Sequence, residues 1–143
     1  MKLFRNTLNQ IPRYLLIMLW VYAAVLKFSD FESAKNEMHN QVFPGPVADI
    51  LVWLVPLTEL LVALLLLIPR TIIAAYCLSA FLLLSFSLYI VFGLLDLYPR
   101  MPCSCGGIIS QFSWQAHLLF NLFFLALSVT AIITTYKERS SPA

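Results

Sequence analysis

The sequence is poor in charge. Only 11% of its 143 residues are Asp, Glu, Lys or Arg, where a soluble globular domain carries about a quarter. An ordinary water-soluble domain is thereby excluded. It also lacks a basic run: nine Lys+Arg against seven Asp+Glu leave a formal charge of +2. Neutralising a phosphate backbone takes clustered cations, so no nucleic acid is expected among the partners. There is no low-complexity tract and no convincing internal repeat, so a duplicated transporter architecture is not indicated. What is abundant is apolar surface. The chain is 61% hydrophobic, with a mean hydropathy of +0.86, and a disordered chain is the opposite of this. A small integral membrane protein remains. At about 20 apolar residues per span, the length accommodates four spans, short connections and no separate soluble domain.

Four apolar runs are present, over residues 14–28, 47–68, 72–95 and 115–135. Backbone groups in hydrocarbon must be satisfied within their own segment, so each run predicts an α-helix. The first, taken to about residue 30, is short and follows Lys2, Arg5 and Arg13, as the core of a signal peptide would. However, Ala23-Ala24 lies inside the run, and Lys27 follows where a cleavage site would be. It is read as a retained helix. The fold expected is an all-α, four-helix membrane bundle filling residues 1–143 as one domain.

Orientation follows the basic residues. Lys2, Arg5, Arg13, Arg70, Lys137 and Arg139 fall on one side of the alternating spans; only Lys35 and Arg100 fall on the other, diluted by Asp30, Glu32, Glu37 and Asp96. Both termini are therefore expected in the cytoplasm. Residues 29–46 and 96–113 are expected outside, in the periplasm if the membrane is a bacterial inner membrane. The connection Pro69-Arg70-Thr71 is so short that spans two and three must be antiparallel neighbours. In residues 31–42, Phe31, Ala34, Met38 and Val42 recur near one helical face, which suggests that the first helix runs on as an interfacial amphipathic helix. Phe43-Pro44-Gly45-Pro46 then breaks it.

Chemistry concentrates in few residues. Cys103 and Cys105 stand in Met101-Pro102-Cys103-Ser104-Cys105-Gly106-Gly107, on the side where disulfides persist. A ring closed across one intervening residue is small and strained, which eases reduction and suits exchange. Two readings compete with exchange: a loop cross-link or idle thiols, and a soft-metal site drawing on Met101 or His117. No metal centre is expected. Ser113 is placed to cap the fourth span, whose N-terminal dipole would favour a nearby thiolate. Trp114, His117 and Asn121 share one face of that helix. His117 can relay a proton near neutral pH, or simply bond another helix. Trp114 alone reads as an interfacial belt residue.

Glu59 lies mid-span, three residues after Pro56, where a carboxylate must be paired, protonated or wet. From a rise of about 1.5 Å per residue, it sits on the order of 15 Å below the outer surface, and Lys27 roughly 5–10 Å below it. The Lys27 stem can reach down to Glu59, or snorkel outward with Asp30 as its neighbour. Cys77 reads as ordinary buried packing. Tyr76, Phe81, Phe86, Tyr89 and Phe92 read as lipid or bundle packing rather than as a quinone pocket. No partner is evident for His39.

These residues resemble the MauE/DoxX-like family of redox-associated bacterial membrane proteins, over about residues 14–135. Lys27-Phe28-Ser29-Asp30-Phe31 is similar to the family's Lys-x-x-Asp-Phe stretch, and Pro56-Leu57-Thr58-Glu59-Leu60 to its Pro-x-x-Glu-Leu motif. Cys103-Ser104-Cys105-Gly106-Gly107 with Trp114-x-x-His117-x-x-x-Asn121 resembles the MauE branch. Proteins of this type are associated with methylamine utilisation, in which a disulfide-rich periplasmic protein is matured, and the resemblance implies thiol oxidation or disulfide shuttling here, not methylamine as a substrate. It further implies Cys103 and Cys105 as the exchanging pair, His117 as proton relay, and Lys27, Asp30, Glu59, Trp114 and Asn121 as a polar network beneath them. Quinone-linked disulfide-forming proteins are similar in outline but carry two Cys pairs. This chain has one pair and a remote Cys77, so a thioredoxin-like or cysteine-rich periplasmic partner is expected, and a quinone is the cofactor to consider. The rival functions are a non-catalytic assembly or binding subunit and a small-solute carrier.

Overall fold

A computed structural model describes residues 2–99 and 113–141, with side chains from residue 10 onward. Five helices follow one another: α1 (Lys2–Ser29), α2 (Phe31–His39), α3 (Gly45–Leu67), α4 (Ile72–Leu94) and α5 (Trp114–Ser140). Four of them are long and apolar enough to cross a membrane: Gln10–Ser29 within α1, then α3, α4 and α5. Among the described residues there is no strand. The first helix is not confined to the apolar run but reaches back to Lys2, carrying Pro12 within it.

Nor does α1 continue smoothly into the amphipathic segment. Asp30 separates the two helices and caps α2, its Oδ1 accepting from Ser33 N–H at 3.2 Å. The predicted apolar face of α2 is the docked one. Met38 is buried against Ala48 and Val52 of α3, with Phe31 beside them, and Phe31 packs its ring on Trp53 at 4.6 Å. Pro44 and Pro46 then stop α2 and start α3, Pro46 falling in the first turn where a missing N–H costs nothing.

The long helices form a ring in which α1 and α4 each pack on α3 and α5. Across its centre, Trp20 of α1 donates from Nε1 to Ser79 Oγ of α4 at 2.8 Å, and Ser128 of α5 stands 3.3 Å from the same hydroxyl. This bond joins helices on opposite sides of the ring through its buried core.

One end of the ring is sealed by arginines. Arg13 donates from Nε to Leu66 O at 2.6 Å and from Nη2 to Leu67 O at 2.8 Å. Arg139 donates to Pro69 O at 2.9 Å. Helix α3 ends there, and its last carbonyls have no partners within the helix. The N-terminal part of α1, the C-terminal part of α5 and the short 68–71 turn thus meet at one end of the bundle. The main buried cluster, with Leu16, Trp20, Val62, Leu66, Tyr76 and Leu83 among its members, fills the half near this end.

The opposite half is hollow. At that end α4 stops in a Schellman turn: Leu97 N–H bonds Phe92 O at 3.1 Å and Asp96 N–H bonds Gly93 O at 3.2 Å. Asp96 takes the left-handed conformation this turn requires, with φ 55°. An Asp is one of the few side chains that tolerate it.

Cys77 does not pack inside the bundle as its apolar surroundings suggested; it is exposed on the flank of α4. A lipid-facing position is as apolar as a core position, so hydropathy does not separate the two.

Candidate functional site

The hollow half contains a cavity of about 340 Å³, within the range of about 300–1,000 Å³ common to ligand sites. All five helical elements border it. Lys27 and Glu59 both line it. The Glu59 carboxylate is almost fully enclosed, its side chain 3% exposed, and Lys27 reaches it with Nζ 2.9 Å from Oε1 and 3.2 Å from Oε2. The third ammonium proton goes to Ala23 O at 3.3 Å. The sequence places Lys27 one turn from Asp30 and a helix away from Glu59; the structure joins it to Glu59. Asp30 is exposed and occupied with capping α2, so it lies outside this pair.

One wall of the cavity is α5. Ser113 caps that helix, its Oγ accepting from Ala116 N–H at 3.2 Å, and Trp114, His117 and Asn121 line the cavity from successive turns. The helical spacing of the three residues brings them to one face. His117 Nδ1 and Asn121 Nδ2 are buried and have no hydrogen-bond partner among the described residues. Asn121 is 5% exposed. Two buried nitrogens without partners, four residues apart on the same wall, mark this face as incomplete on its own.

The opposite wall and roof bring together Gln41, which sequence reasoning passed over, and aromatic residues that it read as packing. Gln41 is 1% exposed, although it belongs to the connection after α2. Tyr89 of α4 donates to its Oε1 at 2.6 Å, and its Nε2 donates to Glu37 O at 3.2 Å. Phe43 stacks on Tyr89 at 5.7 Å and Tyr98 packs on the same ring at 5.2 Å. Phe86 and Tyr89 face the cavity, whereas Phe81 and Phe92 are exposed on the outside and Tyr76 is buried in the core. The aromatic residues of α4 thus split between lipid, core and cavity. A signal for Gln41 existed: it follows Ala34 and Met38 at helical spacing, on the docked face of α2. His39 also has a partner, Asp49 Oδ1 at 2.9 Å, on the outer rim.

Cys103 and Cys105 lie outside the described residues. The chain leaves for them beyond Tyr98, which packs on the cavity-lining Tyr89, and returns at Ser113, next to the cavity-lining Trp114. Both flanks of the cysteine segment are therefore anchored at the cavity end of the bundle. Among the described residues no group of three or more His, Cys, Asp or Glu could hold a metal ion. The arrangement can hold a buried ion pair in register, place a histidine for proton transfer near neutral pH, and enclose a small, largely apolar guest.

A family model described as "Methylamine utilisation protein MauE" matches residues 5–134. No curated protein matches, and no solved structure does.

Proposed function

Since this chain belongs to the MauE family, matched over residues 5–134, we propose that it is a membrane thiol–disulfide redox component that assists the maturation of periplasmic proteins. Cys103 and Cys105 are the exchanging pair. A thiolate of the client protein attacks one sulfur of the Cys103–Cys105 disulfide, giving a mixed disulfide. A second client thiol then displaces it. The client gains a disulfide and Cys103 and Cys105 gain two electrons and two protons. His117 carries a proton between this chemistry and the interior.

The observation that carries this reading is the anchoring of both flanks of the cysteine segment beside a wall that bears His117 and Asn121. A segment that merely braced the protein would not need both its flanks anchored beside a cavity with two unpaired buried nitrogens. The meeting of Arg13, Arg139 and the 68–71 turn at the far end supports a cytoplasmic placement for that end, and so a periplasmic one for the cysteines of a bacterial inner-membrane protein. A thioredoxin-like or cysteine-rich protein is the partner that such a pair would meet.

The test is alkylation trapping of Cys103 and Cys105 in intact cells, with and without reductant, together with C103S and C105S variants. The expected result is a pair that changes state and a single-cysteine variant that retains a protein partner as a mixed disulfide. A pair that never changes state, with no trapped partner, would instead favour an assembly subunit. The cavity around Lys27 and Glu59 supports a second reading, a small-solute carrier, which would depend on Glu59 and be indifferent to both cysteines.

A further inference from the structure

The cavity has a chemical character of its own. Its lining is chiefly apolar and rich in rings: Trp20, Phe43, Phe86, Tyr89, Trp114 and Phe120 all border it. Among the described lining residues the two full charges, Lys27 and Glu59, neutralise each other. Lys27 has all three protons engaged, on both Glu59 oxygens and on Ala23 O. Among the described residues that line the cavity, no free cation remains for a carboxylate or phosphate guest, and no free anion for an amine. A charged solute would therefore gain nothing here to replace its lost hydration.

What the site offers instead is donors. Asn121 is 5% exposed, and its Nδ2 has no partner among the described residues. A primary amide nitrogen can only donate. Rotation about the last side-chain bond, a soft torsion, turns the NH2 toward the cavity that the residue lines. His117 Nδ1, equally unpartnered, donates in one of its two neutral tautomers. The complementary guest is neutral, flat enough for aromatic walls, and equipped with an oxygen that only accepts.

The route in is also visible. Ser85 is exposed on the flank of α4 at mid-span, and it lines the same cavity. Leu51 and Val55 of α3 line the same cavity and are half-buried. An edge of the cavity thus reaches the exposed flank of α4 at mid-span, which suits a guest dissolved in the bilayer.

We infer that this cavity binds the ring of a membrane-soluble quinone-class molecule, with Asn121 and His117 donating to one of its carbonyl oxygens. The ring lies among the aromatic side chains, and an apolar tail leaves at the exposed flank of α4. Binding of this kind stands on the cavity alone and does not require the cysteines to exchange disulfides.

The experiment is direct binding of decyl-ubiquinone to the full-length protein in nanodiscs, followed by tryptophan fluorescence. Trp20 and Trp114 line the cavity, whereas Trp53 is exposed on the outside, so a W53F background confines the signal to the site. Saturable quenching is expected. Its Kd should rise at least about tenfold in N121L and in H117F, the equivalent of about one hydrogen bond in a buried site. Decylbenzene, with the ring and tail but no carbonyl, should not compete. C103S/C105S should bind as the parent does, so that loss of thiol exchange and loss of this site are told apart. Quenching that rises without saturation, as for simple partition into the bilayer, would overturn the inference. Competition by decylbenzene at equal concentration would do the same. Should N121L or H117F fail to accumulate, the decylbenzene arm still decides.

Discussion

Lys27 and Glu59 lie 32 residues apart in sequence on different helices, yet the ammonium is bonded to both carboxylate oxygens and the acid is all but sealed from outside. Such a pair is costly to assemble and costlier to break singly, because the survivor remains as an uncompensated buried charge. K27M or E59L alone should therefore destabilise the protein by about 3–5 kcal/mol, read as a lower melting temperature in detergent and reduced accumulation. The double replacement, apolar on both sides, should recover most of the loss. Additive defects would mean that the two groups act independently.

Trp20 and Ser79 make a second, neutral connection across the ring. S79A leaves an indole N–H buried without an acceptor, at a cost of about 1–3 kcal/mol by general experience with buried donors. Inter-helix bonds in membranes measure lower, about 0.6 kcal/mol on average and about 1.7 at most. A loss near 1 kcal/mol is expected, and W20F/S79A should be less damaged than S79A. Chemical denaturation in mixed micelles measures the difference; equal losses in the two variants would show that the bond contributes little.

Thiol accessibility checks the orientation. An impermeant maleimide added to intact cells should label reduced Cys103 or Cys105 and leave Cys77 untouched. Cys77 is exposed on the flank of a membrane helix, so a lipid-soluble maleimide should reach it. Labelling of the pair only after the membrane is opened would place the cysteine segment in the cytoplasm.

The redox potential of Cys103–Cys105 bears on the exchange chemistry. One intervening residue strains the oxidised ring, and the capped start of α5 at Ser113 favours a thiolate near it. Both effects favour the reduced form. A value more oxidising than about −250 mV is expected, against below roughly −300 mV for inert structural disulfides. Titration of the purified protein in glutathione buffers, read by alkylation, gives the number; a value below the structural limit would remove exchange as the function.

The four spans were legible because hydropathy and length are what a bilayer demands of a helix. Lys27 and Glu59 were legible as a pair for the same reason: charges within apolar runs have few places to go. The face of each helix was not. In α3 and α4 the lipid side is as apolar as the protein side, so no pattern told whether Cys77 would be packed or exposed, or which aromatic residues of α4 would line a cavity. Gln41 was missed because its burial comes from Tyr89, Phe43 and the docking of α2, all distant in sequence or formed only on folding. The break at Asp30 was missed because the amphipathic pattern runs straight through it, while the cap that divides the helices is a matter of one side chain.

Arg13 and Arg139 hold two roles that a single substitution can pull apart. As positive charges they belong to the set from which the expected orientation of the spans is read. As planar guanidinium groups they close the frayed end of α3, Arg13 with two nitrogens on consecutive carbonyls. Lysine keeps the charge and loses the fork. An R13K/R139K protein should thus thread the membrane the right way round and then close poorly, with the 68–71 turn open to protease in a chain whose topology is unchanged. Biogenesis and folding, which share these two residues, become separable steps.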